Sequence, residues 1–383
     1  MATKLMQGAD AITEAAINAG CRFFSGYPML PFTPLLESMA KQMGKAGGVC
    51  MNASSEMEAV NMALGAAAGG ARAGTGSCGQ GVALMQEAIA EAALNELPFV
   101  VFTMARGQQD YFQCTRGGGW GDYRTITLAP KDVIEAVEHT QVLFHLADTY
   151  RTPVVLYGDY LVADTFMSVD PERIELGPLP AKDWALDGSM GGTGRARSIW
   201  SWDIGKANHP GRQPDGHWKR IAAKFADLAE AEARHETFMA DDAEYLVVSF
   251  GTTSPFVEHV VEELRDAGVR IGAFRPITLW PFPERALRAA SAGVKKVFTY
   301  EINAGQMIDD VRLSVDDRAK VVPLGGVSVD YSGMRQGELL SVAAIRAALM
   351  PAVGLGDPPP APRLGDPAPA VRIGPSTPLP EGH

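Results

Sequence analysis

The sequence predicts an α/β fold with two doubly wound parallel-sheet domains and a Pro-rich C-terminal tail. Three observations carry this. Short apolar runs such as FVVFTMA and PVVLY alternate with longer segments of helical periodicity, which is the pattern of βαβ units. The alternation breaks once, from about residue 161 to 240, and then resumes, as two domains joined by a connecting segment would give. The length of 383 residues, with 46% apolar and 21% charged, suits two or three domains of ordinary size and excludes bulk disorder.

The elements follow in order. Asp10–Ala19 reads as a helix, Cys21–Tyr27 (CRFFSGY) as a strand, Thr33–Lys45 as a helix and Val49–Ala53 as a short strand. Glu56–Ala71 is a helix rich in Ala and Gly, and Gly81–Asn95 is another. The strand Phe99–Ala105 leads into a long loop, Gly107–Pro130, then the amphipathic helix Lys131–Tyr150 and the strand Pro153–Tyr157. The expected divisions are 1–165, an irregular linker at 166–240, a second domain at 241–350 and the tail at 351–383. Gly188–Gly216 holds many Gly, Asn, Pro and Trp residues. The second series has strands at Tyr245–Phe250, Arg270–Phe274, Lys296–Tyr300 and Lys320–Leu324. Its helix Pro255–Asp266 has Pro in the first turn and stops before Gly268. Ten of the 33 residues from Pro351 to His383 are proline, which favours extended chain and not a core. That end reads as disordered, or as an arm wrapping a partner subunit.

The net charge of −11 makes binding to nucleic acid phosphates a poor prospect. No uninterrupted apolar run reaches transmembrane length, and the N-terminus lacks the apolar core of a secretory signal. A cytoplasmic protein without membrane contact is expected. Cys21, Cys50, Cys78 and Cys114 form no C-x-x-C pair, so free thiols are expected in place of disulfides, zinc or an iron–sulfur cluster.

Gly74-Thr-Gly76-Ser-Cys-Gly79 fits G-x-G-x-x-G, but the preceding GAAAGGARAG reads as a helix and the acids at the right distance, Glu91 and Glu96, fall in or just after a helix. Those glycines point to close backbone approach to a partner or cofactor ring. There is no G-x-x-x-x-G-K-S/T loop and no H-E-x-x-H. His139 and His145 read as structural; His209 and His217, in the irregular loop, are weak site candidates. Glu56 opens a helix, where the macrodipole alone would favour an acid. Arg106 ends an apolar strand, where ligands of parallel sheets bind and a guanidinium can fork onto a carboxylate or phosphate; a solvated loop charge is the plainer alternative.

Several motifs in order now fit one family. Gly26-Tyr-Pro28-Met-Leu-Pro31 resembles G-Y-P-I-T-P. Ser55-Glu56-x-x-Ala59, then Gly65-Ala-Ala-Ala-Gly-Gly-Ala-Arg-Ala and Gly81-Val-Ala-Leu-Met85, resemble S-E-x-x-A, GARA and SGPG-L-x-L-M. Glu96-Leu-Pro98 with Ala105-Arg106-Gly107 resembles E-L-P and Q-R-G; Arg275-Pro-Ile-Thr-Leu-Trp-Pro-Phe-Pro283 and Glu301-Ile-Asn-Ala-Gly-Gln-Met307 resemble later signatures. Across residues 5–345 the chain resembles the α subunit of the 2-oxoacid:ferredoxin (acceptor) oxidoreductases, thiamine pyrophosphate enzymes acting on pyruvate, 2-oxoglutarate, 2-oxoisovalerate or phenylglyoxylate.

The resemblance implies a pyrimidine-binding domain at 1–165 and a transketolase C-terminal-like domain at 241–350. By similarity Glu56 is the carboxylate that bonds N1′ of the aminopyrimidine, with Glu58 as fallback, and Arg106 holds the substrate carboxylate. Tyr27, Pro28, Gly79 and Gln80 would meet the cofactor with Glu56. Leu30, Gln108, Gln109 and Tyr111 would meet the substrate with Arg106. The family's Thr in Y-P-I-T-P is Leu30 here, and R-G-G-P-S-T-G is replaced by Arg106-Gly-Gln-Gln-Asp-Tyr-Phe-Gln113. A lost hydroxyl and the arrival of Tyr111 and Phe112 imply a larger, less polar substrate such as an aryl 2-oxoacid.

The chain has no G-D-G…N motif for Mg2+ and diphosphate. The resemblance therefore implies a β subunit carrying that motif and [4Fe-4S] clusters, with γ or δ subunits, ferredoxin or another acceptor, and coenzyme A as co-substrate. No metal is assigned to this chain. A non-redox thiamine enzyme, or a non-catalytic scaffold, are the competing classes.

Overall fold

The computed structural model describes residues 3–186, 214–326 and 340–356. The Pro-rich stretch from 357 onward, His209 and residues 188–213 of the irregular segment lie outside the described residues.

The chain opens with β1 (Lys4–Gln7), α1 (Gly8–Asn18), β2 (Phe23–Gly26), α2 (Thr33–Gln42) and β3 (Val49–Asn52). Next come α3 (Glu56–Ala68), β4 (Ala73–Ser77), α4 (Gln80–Leu94), β5 (Val100–Ala105) and the short α5 (Tyr111–Thr115). β6 (Ile126–Leu128), α6 (Val133–Tyr150), β7 (Val154–Asp159), α7 (Tyr160–Asp164) and β8 (Phe166–Val169) complete the first series. α8 (Pro214–Ala231) and β9 (His235–Phe238) precede β10 (Tyr245–Val248), α9 (Thr253–Asp266), β11 (Ile271–Pro276) and β12 (Thr278–Trp280). The last elements are α10 (Glu284–Ser291), β13 (Lys296–Glu301), α11 (Met307–Ser314), β14 (Val321–Gly325) and α12 (Val342–Ala352).

Two main sheets result. The first runs β12-β6-β7-β5-β4-β2-β3 and is parallel except for β12, which pairs antiparallel with β6. The second runs β14-β13-β10-β11-β9, parallel except for β9. β1 and β8 form a separate antiparallel ribbon.

Four features differ from the sequence reading. The stretch read as the end of a helix holds β4, a central strand buried along its whole length. AGTGS carries no apolar signature because its neighbours need the space. A Cβ at Gly74 would lie 3.0 Å from the Phe24 ring and 3.2 Å from Phe102; one at Gly76 would lie 2.5 Å from Phe32. The aromatic rings supply the apolar volume that side chains of β4 would otherwise provide. The G-x-G-x-x-G run thus sits on a strand leading into a helix, the context that the sequence reading did not see. The long loop 107–130 contains α5 and β6. The linker read as irregular carries β8, α8 and β9 in its described part. Finally, β12 of the second series crosses back to close the edge of the first sheet, so the two series are joined by backbone pairing.

Side chains reinforce that joint. Arg275 on β11, almost wholly buried, donates to Glu135 Oε2 and Oε1 of α6 at 2.9 and 2.7 Å and to Glu236 of β9 at 3.0 and 2.6 Å. Lys131 Nζ adds a pair to Glu236 at 3.0 Å. A bidentate guanidinium fork fixes orientation as well as charge. Buried Asp159, at the end of β7, accepts from the Thr252 hydroxyl.

Candidate active site

In a parallel sheet the carboxyl ends of the strands, with the helix N-termini that follow, form the natural ligand crevice. Here β2, β4 and β5 end side by side at Gly26, Ser77 and Ala105. Three loops rise from them: 27–32, 78–79 and 106–110.

Glu56 is the first residue of α3. Ser55 caps that helix, its Oγ accepting from Glu58 N at 3.2 Å. Cap and first-turn acid follow from sequence chemistry alone. Burial does not. Glu56 is 3% exposed, and its described polar partner is Ser77 Oγ, donating to Oε1 at 3.4 Å. Gly81 packs directly against this carboxylate: a Cβ there would lie 2.6 Å from Glu56 Oε1 and 2.0 Å from Ser77 Oγ. Glu58 points elsewhere: its Oε2 accepts from the backbone N and the hydroxyl of Ser54, which hold the carboxyl below its ordinary range at the surface.

Arg106 turns back over the crevice. Its Nε donates to Leu30 O at 3.1 Å and its Nη1 to Gln80 Oε1 at 3.0 Å. Both partners are neutral, and among the described residues no carboxylate pairs with it. Beside it, Asp110 is 4% exposed and accepts from Gly79 N at 2.9 Å through Oδ2 and from Gln113 Nε2 at 3.2 Å through Oδ1. Burial pushes the Asp110 carboxyl above its ordinary value, against the pull of the Gly79 N–H and the Arg106 charge. Gly79 has φ +53°, a conformation open to glycine, and this turns the chain into α4. A cavity of about 240 Å³ lies between Gly79, Gln80, Ala83, Arg106, Gln109, Asp110 and Gln113. Tyr27, Pro28 and Leu30 are exposed on the neighbouring loop.

The structure thus brings Arg106, Gln109, Gly79 and Gln80 to one cavity, with Leu30 touching Arg106 through its carbonyl. Two expected substrate contacts lie elsewhere. The Gln108 amide is buried in the joint with the second sheet, donating to Phe250 O at 3.0 Å and accepting from Ile302 N at 2.8 Å. Tyr111 is fully buried, its ring tilted against Phe250 with centroids 5.4 Å apart, and donates to Asp310 Oδ2 at 2.6 Å. Both serve to seat loop 107–116 on the second series. Asn303 and Gln306 complete this seat: Asn303 donates to Gln108 O at 2.8 Å and Gln306 to Gln109 O at 3.0 Å. Glu301 caps α11 by accepting from Gln306 N, Met307 N and Ile308 N at 3.0, 2.8 and 3.1 Å. The motif at 301–307 therefore holds the loop that carries Arg106. Asp110, Gln113, Ser77 and Gly81 were not singled out from sequence; for Asp110 a signal existed, since an acid stands where the resembled pattern has Ser.

Of the weak candidates, His217 lies at α8, with its Nδ1 3.0 Å from Arg220, far in sequence from every lining residue. Cys21, Cys78 and Cys114 are buried free thiols and Cys50 is partly buried. Among the described residues no group of three or more His, Cys, Asp or Glu is placed to hold a metal ion, and no helix is long and apolar enough to cross a membrane.

Thiamine pyrophosphate can be tested against this geometry. Its aminopyrimidine ring requires a buried carboxylate with hydrogen-bonding capacity to spare. Glu56, buried at a helix start with the Ser77 hydroxyl as its described polar partner, fits that requirement.

Residues 14–184 match the family described as pyruvate flavodoxin/ferredoxin oxidoreductase, thiamine diP-binding, and 243–333 match pyruvate:ferredoxin oxidoreductase core domain II. Ketoisovalerate oxidoreductase subunit VorB of Methanothermobacter thermautotrophicus is 33% identical over 324 residues, covering 82% of this chain and 90% of that protein. 2-Oxoglutarate synthase subunit KorA of the same organism is 33% identical over 346 residues, covering 82% and 92%. The α subunit of NADH-dependent phenylglyoxylate dehydrogenase of Aromatoleum evansii is 27% identical over 339 residues, covering 79% and 78%. Among solved structures, 2-oxoglutarate:ferredoxin oxidoreductase from Magnetococcus marinus, with 2-oxoglutarate, coenzyme A and succinyl-CoA bound, has a TM-score of 0.73 at 24% identity. That match covers 84% of this chain, which spans 62% of that one, and it is a likeness of fold.

Proposed function

The chain belongs to the 2-oxoacid:ferredoxin oxidoreductase family as an oxidoreductase subunit, and we propose that it carries the aminopyrimidine-activating carboxylate and the substrate-carboxylate anchor of a cytoplasmic complex. The reaction is the oxidative decarboxylation of a 2-oxoacid to acyl-CoA and CO2. One observation supports this above the others: at the same carboxyl edge of one sheet, a buried carboxylate at a helix start, Glu56, follows β3, and Arg106, a guanidinium with no carboxylate partner among the described residues, follows β5, with β4 and β2 between them.

Thiamine pyrophosphate, when bound, supplies the electron sink for loss of CO2. Glu56 would hold a proton at N1′ of the aminopyrimidine, and its burial makes that hydrogen bond stronger than it would be in water. Arg106 would fork onto the substrate carboxylate and fix its angle of approach. Gly81 lets α4 pack against the Glu56 carboxylate and so fixes where that carboxylate stands. A β subunit would bring Mg2+, the diphosphate-binding motif and [4Fe-4S] clusters, with γ or δ subunits and ferredoxin or another acceptor beyond. Coenzyme A would take the acyl group. Leu30, exposed at the rim in place of a hydroxyl residue, favours a bulky apolar or aryl 2-oxoacid. Tyr111 does not contribute to that preference, because its ring is turned into the core.

The test is Glu56→Gln in the complex purified anaerobically with its own partners. Proton transfer by a positioned group contributes about 10²–10⁴-fold, so turnover of 2-oxoacids should fall at least 100-fold with subunit assembly and iron content unchanged. Turnover retained within tenfold would remove Glu56 from this role.

A further inference from the structure

We propose that Asp110 selects against a second carboxylate on the substrate, so that this subunit takes 2-oxoacids with an uncharged side chain. The proposal rests on the reading of the Arg106 cavity as the substrate site.

Charge accounting in the cavity carries it. Of its seven lining residues, Arg106 is the one cation and Asp110 the one anion; Gln80, Gln109 and Gln113 are neutral amides. Among the described residues Arg106 donates to the Leu30 carbonyl and the Gln80 amide oxygen and pairs with no carboxylate, so its charge remains available to a single carboxylate. A 2-oxoacid with one carboxylate satisfies it. A dicarboxylate would need a second cation and would meet Asp110 instead.

Asp110 cannot turn away from that encounter. It is 4% exposed and held by two donors, the Gly79 N–H at 2.9 Å and the Gln113 amide at 3.2 Å. Gln113 itself is anchored, donating also to Gly79 O at 3.3 Å. The wall is therefore rigid, and its charge faces a small cavity of about 240 Å³. The resembled pattern R-G-G-P-S-T-G has a neutral Ser where this chain has Asp110. The acid is thus a departure in the one loop that also carries the substrate anchor. Discrimination of this kind, by a like charge placed against the wrong ligand, is a common route to specificity.

The experiment uses the complex with its own partner subunits. The ratio of kcat/KM for 2-oxohexanoate to that for 2-oxoglutarate, two substrates of similar length, should be at least 100 for the wild type. It should fall at least tenfold in both Asp110→Asn and Asp110→Ser. The dissociation constants of the unreactive 2-hydroxyhexanoate and 2-hydroxyglutarate, read by calorimetry, should shift in the same sense. A loss of folding would depress both substrates together and leave the ratio alone. A wild-type preference for 2-oxoglutarate, or a ratio unmoved in both variants, overturns the proposal. Arg106→Gln separates the two readings. If it raises KM for 2-oxohexanoate while the Asp110 variants leave the ratio fixed, only the selection by Asp110 falls. If it leaves KM unmoved, the cavity is not the substrate site and both readings fall.

Discussion

Replacing Gly81 by alanine tests the geometry around Glu56 most directly. Gly81 lies inside α4 and is not among the glycines with positive φ, so its backbone accepts any residue. In helix terms alanine is the better choice, by about 1 kcal/mol. What forbids it is space. The added Cβ would stand 2.0 Å from Ser77 Oγ, 2.9 Å from Ser77 Cβ and 2.6 Å from Glu56 Oε1. Ser77 belongs to a buried central strand and cannot retreat as a whole, so its hydroxyl must rotate and the carboxylate must yield by most of an ångström. Overpacking of this kind costs about 1–3 kcal/mol, of which the helix gain offsets about 1. The net loss of stability is therefore modest, about 0–2 kcal/mol. Misplacing a positioning group by about 1 Å costs on the order of 100-fold in rate. The assay is 2-oxoacid-dependent acceptor reduction by the assembled complex, alongside thermal unfolding. The expected result is a turnover drop near 100-fold in a protein whose Tm moves by only a few degrees. Gly81→Ala with Ser77→Ala, which removes the nearest obstruction, should regain part of the rate. A Gly81→Ala complex with wild-type turnover would refute the reasoning, since the rate would then not depend on where Gly81 lets the Glu56 carboxylate stand.

Other predictions concern the joint between the sheets and the buried ionisable groups. Arg275→Met takes the buried guanidinium from Glu135 and Glu236 and leaves them Lys131; it should cost about 3 kcal/mol in urea unfolding, the low end for a broken buried pair because Lys131 remains and Glu236 is 43% exposed. Tyr111→Phe removes one buried hydrogen bond to Asp310, which keeps Arg116 at 2.9 Å, and should cost about 1–2 kcal/mol with no change in substrate KM; a KM change would return Tyr111 to the substrate. His139 is 6% exposed, and burial depresses its imidazole to about 4, so the folded chain keeps it neutral. The unfolded chain protonates it as pH falls below its ordinary value, so stability declines from about pH 6.5 toward 4, by about 3 kcal/mol from this group. His139→Leu should flatten that part of the stability–pH curve; an unchanged slope would show that the acid sensitivity comes from elsewhere.

Much of this protein is written locally. The alternation of apolar strands and helices marked β2, β5, β7, β10, β11 and β13 within a residue or two, because parallel strands buried on both faces usually fill that space with their own apolar side chains. Glu56 at a helix start and Arg106 at a strand end were legible for the same reason: a cap and a strand terminus are properties of adjacent residues. The acidic balance and the cysteine spacing likewise needed no structure.

The tertiary structure decided the remainder, wherever one segment answers to another far away in the chain. β4 is a strand because rings from Phe24, Phe32 and Phe102 occupy the volume beside Gly74 and Gly76, which no local window contains. β12 belongs to the first sheet because β6 offers an open edge some 150 residues earlier. Gln108 and Tyr111 share a loop with Arg106 yet point away from its cavity, because Phe250, Ile302 and Asp310 of the second series capture their polar ends. Asp110 faces the cavity because Gly79, from another loop, presents the N–H that holds it. Sequence fixes which groups are available and which elements they start or end. The direction in which each group points depends on a partner that only the folded chain brings within hydrogen-bond reach.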